Sequence, residues 1–308
     1  MRLIQVALCA LLAVSWASPA YASGWISAKG QSSQDYKQGA LSGGGTLDQA
    51  ERWTLQGALN SGQSRDPALS QDSKATGVDG GLSFDPNNFW DLALDASLSN
   101  AGNGQTSSGG NVSVGMSPEW GWFRPGLTLV SGKHTFNASE DTTVTGPLGR
   151  TITAKQSQTL DQTQGGVLLS LGFGDSVTLL GSATQYQYNS DPADPNSVFQ
   201  VKGSQVKAPA SKNLGDLLLG LVKRDWSAGL NLALPRGVTL SGDYGQSESA
   251  VDGVWTKTLS LAWIQTWSPR WETQLGWIKA LESGDGSPSL SLALTCSFNG
   301  KSKHAEDD

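Results

Sequence analysis

The chain has 308 residues, of which only 16% are charged, with 38 Gly, 12 Trp and a formal net charge of -6. The acidic balance excludes nucleic acid as a natural partner, and low charge with abundant Gly and Trp departs from an ordinary soluble enzyme domain. The two cysteines, Cys9 and Cys296, give no disulfide framework.

Met1 to Ala22 reads as a secretory signal peptide: Arg2 supplies the positive start, Leu3 to Trp16 is mostly apolar, and Ala20-Tyr21-Ala22 is a small-x-small cleavage site before Ser23. Cleavage leaves Cys296 as the single thiol of an exported chain. No later run approaches the roughly 20 apolar residues of a helical span; Leu214 to Val222 is far shorter and contains Asp216. Ser23 to Gln49 is rich in Gly, Ser and Gln and sparse in large apolar residues beyond Trp25, Ile26 and Tyr36. Residues 23–50 are therefore expected as a flexible periplasmic leader, or as a plug folded into a lumen.

From Glu51 onward the apolar residues recur with a period of two, which puts them on one face of a strand. Arg52 to Asn60 sets Trp53, Leu55 and Leu59 against Arg52, Thr54 and Gln56. The same alternation runs through Lys74–Phe84, Phe89–Asn100, Asn111–Ser117 and Trp122–Phe136. It weakens in Thr163–Phe173 and Ser176–Asn189, where Val167-Leu168-Leu169 and Leu179-Leu180 are apolar on both faces. Ser190 to Arg224 is the longest insertion, and its Leu214–Val222 piece is either a short helix over the lumen or a strand extension. Trp226–Leu234, Val238–Glu248, Val254–Trp267, Trp271–Leu281 and Ser287–Phe298 complete the set.

Three features separate a membrane barrel from a soluble sandwich. Connections alternate: turns at Asp85, Pro118, Gly174, Pro235 and Ser268 are short, while those near 61–74, 101–110, 137–162 and 190–225 are longer and polar. Aromatics such as Trp53, Phe84, Trp90, Phe123, Phe173, Trp267 and Trp271 sit at segment ends, where rings favour the headgroup level. The face opposite the apolar one carries charges that a dry interior would expel at several kcal/mol each unless paired. The expected fold is an all-β, closed, antiparallel up-and-down transmembrane β-barrel over 51–298. It has about twelve strands, with short periplasmic turns and long extracellular loops. Ser197–Ala208 and Thr142–Ala154 are the places where further strands would arise, the latter also reading as a local hairpin.

With these segments the chain resembles the bacterial outer-membrane β-barrel, porin-like class. The resemblance implies the outer membrane of a Gram-negative bacterium, with outer-membrane lipid, lipopolysaccharide and the barrel-assembly machinery as partners. In that class the last strand commonly ends in an aromatic and is read by the assembly machinery. Leu290, Leu292, Leu294 and Phe298 match that signal, with Cys296 on the same face. The polar tail 299–308 departs from the pattern.

Chemistry is sparse. The two histidines are His134, at the outer end of its strand beside Lys133 and read as a surface-loop histidine, and His304 in the tail, and neither has a nucleophile or metal partner in sequence. No catalytic site, metal site or cofactor is expected. The lumen-facing polar set is Arg52, Asp79, Asp91, Asp95, Arg124, Asp243 and Glu272, more acidic than basic, and carboxylate rings favour cations in a narrow pore. Inward Gly77, Gly81, Gly115, Gly126, Gly229, Gly245 and Gly276 would leave room in that lumen. The expected function is a porin-like channel for small solutes or ions. The alternative is a non-conducting barrel that serves as a scaffold or sheath for a periplasmic or membrane protein partner.

Overall fold

A computed structural model of the chain describes residues 23–33, 36–47, 50–66, 71–87, 89–101, 105–145, 151–192, 221–281 and 288–298. Among them are fourteen strands. They are β1 (Gly24–Ser32), β2 (Tyr36–Thr46), β3 (Trp53–Asp66), β4 (Gln71–Phe84), β5 (Trp90–Ala101), β6 (Gln105–Met116) and β7 (Phe123–Thr145). The second half comprises β8 (Thr151–Phe173), β9 (Val177–Tyr188), β10 (Val222–Leu234), β11 (Val238–Ser249), β12 (Trp255–Ser268), β13 (Trp271–Ala280) and β14 (Ser289–Phe298). Every strand pairs antiparallel with its neighbours in sequence, and β1 pairs with β14, so the sheet closes on itself. Closure removes the edge and pairs the backbone polar groups within the wall, the condition for crossing hydrocarbon with strands.

The segments expected from alternation correspond to β3 through β14, but the count of about twelve is corrected to fourteen. Both extra strands come from the stretch expected as a leader or plug. It lies in the wall instead: Ile26 stands opposite Cys296 and Gly43, and Leu41 opposite Leu59. Paired residues of an antiparallel ladder share a face. Gly24, Ile26, Ala28 and Gly30 of β1, with Gly39, Leu41, Gly43 and Gly45 of β2, therefore lie on the face of Leu290, Leu292 and Leu294. That outer face is mostly glycine and alanine, so hydrophobic periodicity has little to register. Ser23 and Thr46 lock the start of β1 to the end of β2 through their hydroxyls at 3.0 Å. The closing role of β14 is as expected, with β13 on one side and β1, in place of Arg52–Asn60, on the other.

Among the described residues no large side chain is fully buried, while Leu59 is 57% and Leu290 62% exposed. Covering a leucine is worth about 1.5–3 kcal/mol, so this belt is stable only against lipid. Aromatic contacts mark the rim with the short turns: Trp53 stacks on Phe84 at 4.3 Å, and Phe123 meets Phe173 at 5.6 Å. That rim also holds Ser23 and Phe298.

At the other rim, strands continue into stretches expected as loops. Only 67–70 separate β3 from β4, 102–104 separate β5 from β6, and 146–150 separate β7 from β8. Outward residues above the belt turn polar (Ser131, Lys133, Thr135 on β7), yet backbone pairing persists. The expected hairpin at Thr142–Ala154 is the top of β7–β8, with Thr142 paired to Ala154. This ladder climbs past Ala138, the last residue paired with β6, and past Gln162, the first paired with β9. Ser197–Ala208, most of Leu214–Val222, the signal peptide and the polar tail lie outside the described residues.

The lumen wall as candidate functional site

The concave face is fixed by a recess of about 360 Å³ lined by Trp25, Ser42, Gln56, Asp79, Asp95 and Asn111, which spans β1 to β6. Register carries that face around the barrel. Asp79 pairs with Ala58 and Ser97, Asp95 with Gly81 and Asn111, Asn111 with Gly132, and Gly132 with Gln164. Asp91 lies four residues before Asp95 on the same face. On the opposite wall Asp243 pairs with Gly229 and Ser260, and Glu272 with Thr295. The structure thus brings Asp79, Asp91 and Asp95 together and sets Asp243 and Glu272 apart from them. Arg52 is exposed at the rim with the short turns, ahead of β3, where its carbonyl accepts the Asp85 N–H. Arg124 is also at that rim, paired with Asp175 of the β8–β9 turn.

The inward glycines do not leave open space. A Cβ on Gly115 would fall on the Asp91 carboxylate, one on Gly126 on the Ser170 hydroxyl, and one on Gly276 on the Ser291 hydroxyl. At Gly81 it would stand 2.5 Å from Asp95 Oδ1, and at Gly229 3.0 Å from Asp243 Oδ2. Each glycine accepts a polar side chain from the neighbouring strand, which lies flat along the wall instead of reaching toward the axis. Room is gained in the middle of the barrel, and carboxylates are spread over its inner surface.

Hydrogen bonds hold this lining. Asn60 donates to Asp79. Gln164 Nε2 donates to Asn111 Oδ1 at 2.6 Å, and the His134 ring lies 3.2 Å from the same oxygen. The Tyr186 hydroxyl donates to Asp225 at 2.7 Å. Gln162 donates to the Tyr188 hydroxyl, which donates to the Val222 carbonyl at 2.6 Å. His134 is therefore corrected from a surface loop to the inner wall of β7, folded over Gly109. Its strand neighbour Lys133 faces outward, 3.4 Å from Asp161.

Sequence reasoning missed Lys29, Asp225, Tyr186 and Tyr188 on the inner face. Lys29 was hidden because β1 was unread. Asp225 follows from parity with Ser227 and Gly229 once β10 is started at Val222. Above the polar lining, Phe136 and Tyr188 pack with Leu160, Leu221, Ala250 and Val251. This apolar cluster covers one side of the outer mouth. Among the described residues no group of three or more His, Cys, Asp or Glu is placed to hold a metal ion.

No family model and no curated protein sequence matches the chain. Among solved structures, the CymD monoaromatic hydrocarbon channel aligns with a TM-score of 0.52 at 14% identity, over 91% of this chain and 88% of that one. The KdgM porin aligns at 0.43 and 8% identity, over 89% and 99%. OccAB1 of Acinetobacter baumannii aligns at 0.45 and 7% identity, over 90% and 96%. The chain shares the closed antiparallel β-barrel fold of that outer-membrane channel, CymD.

Proposed function

We propose that the barrel is a passive channel for small solutes and ions with a mild preference for cations. The observation that carries this reading is the inner wall: among the described residues, polar side chains lie over glycines of the neighbouring strands, which holds them against the wall and lines it with carboxylate. Asp79, Asp91 and Asp95 on β4–β5 face Asp225 and Asp243 on β10–β11 across the lumen, since these strand pairs stand six places apart in a ring of fourteen. Glu272 adds to the set, whereas Arg124 is paired with Asp175. Distributed carboxylates attract cations into an aqueous pore. Planar-bilayer recording under a salt gradient tests the reading: open conductance with a cation-directed reversal potential is expected, and a silent barrel or anion selectivity overturns it.

The scaffold alternative rests on a different feature, the β7–β8 ladder that rises beyond its neighbours. A protein partner would find a paired two-stranded backbone there. Shortening that ladder leaves conductance intact under the channel reading.

A further inference from the structure

The seam where the barrel closes differs from the rest of its outer surface. Along the outward face, Leu261, Trp277, Leu290, Ser32 and Lys37 form one row across β12, β13, β14, β1 and β2. The row beneath runs Trp263, Leu275, Leu292, Gly30 and Gly39. Gly30 has no neighbour within 4 Å of where a Cβ would stand. The absent side chain leaves a groove of about 580 Å³ walled by Leu275, Leu290 and Leu292 and ending at Lys37. That volume falls within the roughly 300–1,000 Å³ of sites that hold small ligands.

Both ends of this groove are informative. Its leucine walls face the hydrocarbon, so its filling is an acyl chain. Its upper end lies toward the extracellular rim, where Lys37 stands on β2 and Lys279 on β13, two residues above Trp277. Among the described residues, neither Lys37 nor Lys279 is paired with a carboxylate. Two ammonium groups over an apolar groove match a lipid that carries phosphate on its head.

We infer that the closing seam binds a phosphorylated glycolipid of the outer leaflet, with an acyl chain over Gly30 and phosphate on Lys37 and Lys279. The site needs the barrel in a membrane but not conduction, so it stands or falls separately from the channel reading. A lysine beside an anionic lipid surface changes binding by roughly fivefold, and two together by roughly thirtyfold.

The test is titration of the full detergent-purified barrel with bisphosphorylated lipid A, followed by native mass spectrometry, with dephosphorylated lipid A as the second probe. The wild type should prefer the phosphorylated lipid. The double variant Lys37→Gln/Lys279→Gln should lose that preference while keeping its folded, heat-modifiable mobility. Gly30→Leu, which meets open space, should weaken binding of both lipids. Equal affinity for the two lipids in the wild type, or unchanged binding by both variants, overturns the inference.

Discussion

The glycine-and-carboxylate pairing on the inner wall makes a quantitative demand. In the double variant Gly81→Ala/Gly115→Ala, each new methyl occupies the place of a carboxylate, that of Asp95 and that of Asp91. The displaced atoms are the free ends of flexible side chains, so the change should swing both carboxylates toward the axis at little cost in stability, within about 0.5 kcal/mol each as for other exposed sites. The Coulomb energy with a passing cation is about 0.5 kcal/mol at ~8 Å and about 1 kcal/mol at ~4 Å in water. Each swing therefore adds about 0.5 kcal/mol, or roughly twofold in cation occupancy, and the pair roughly fivefold before screening by salt. Reversal potentials in planar bilayers under a KCl gradient should shift in the cation direction, most at low ionic strength. Adding Asp91→Asn and Asp95→Asn should abolish the shift. A folded double variant whose reversal potential is unchanged, or moves toward anions, refutes the flat-lying geometry.

Further expectations concern assembly, the belt and one turn. The Phe298 ring would lie 2.7 Å from a Cβ on Gly24, so it packs over that glycine across the seam; Phe298→Ala should lower the inserted, heat-modifiable fraction in liposome folding assays, and normal insertion would tell against an assembly role. Leu292→Arg, on the lipid face, should cost about 2–4 kcal/mol if it sits at the midplane, measurable by urea unfolding from vesicles. In the β11–β12 turn, the Ser249 hydroxyl first and the Val254 N–H second hold the Asp252 carboxyl below its ordinary value. A folded-state value below the unfolded one stabilises the turn above about pH 4. That contribution is lost as pH falls through the lowered value. Amide exchange at Val254 should therefore gain protection from acid to neutral pH in the wild type and lose that dependence in Asp252→Asn.

Most of the twelve strands from β3 to β14 were readable because their outer residues are large and their inner ones polar; β8 and β9, with Leu168 and Leu180 inward, were read on weaker alternation. β1 and β2 were unreadable for the converse reason: Gly24, Ala28, Gly30, Gly39, Gly43 and Gly45 carry too little apolar surface to make a period. Parity assigns Asp79, Asp91, Asp95, Asp243 and Glu272 to the face opposite the apolar one, and the register then groups Asp79, Asp91 and Asp95 on β4–β5. Contacts were not readable. No local pattern says that Asp91 folds over Gly115, because those residues meet only through the β5–β6 register. His134 already fell within the strand expected over Trp122–Phe136; what the sequence did not show is that it turns inward over Gly109 while Lys133 turns outward.

Placing β1 and β2 in the wall reverses the meaning of their deletion. A plug, once removed, leaves a wider and more conductive barrel. A pair of wall strands, once removed, strips β14 of its β1 ladder from Phe298 to Leu290 and β3 of its β2 ladder from Thr54 to Ser64. Two edges of unpaired backbone would then face hydrocarbon, at several kcal/mol for each unsatisfied group. β14 and β3 run antiparallel to each other, so the only escape is a smaller barrel closed by their direct pairing, and diameter falls with strand number. Deletion of residues 24–46 should therefore abolish insertion or give a smaller conductance. A folded deletion variant with a larger conductance would return this segment to the lumen and refute its place between β14 and β3.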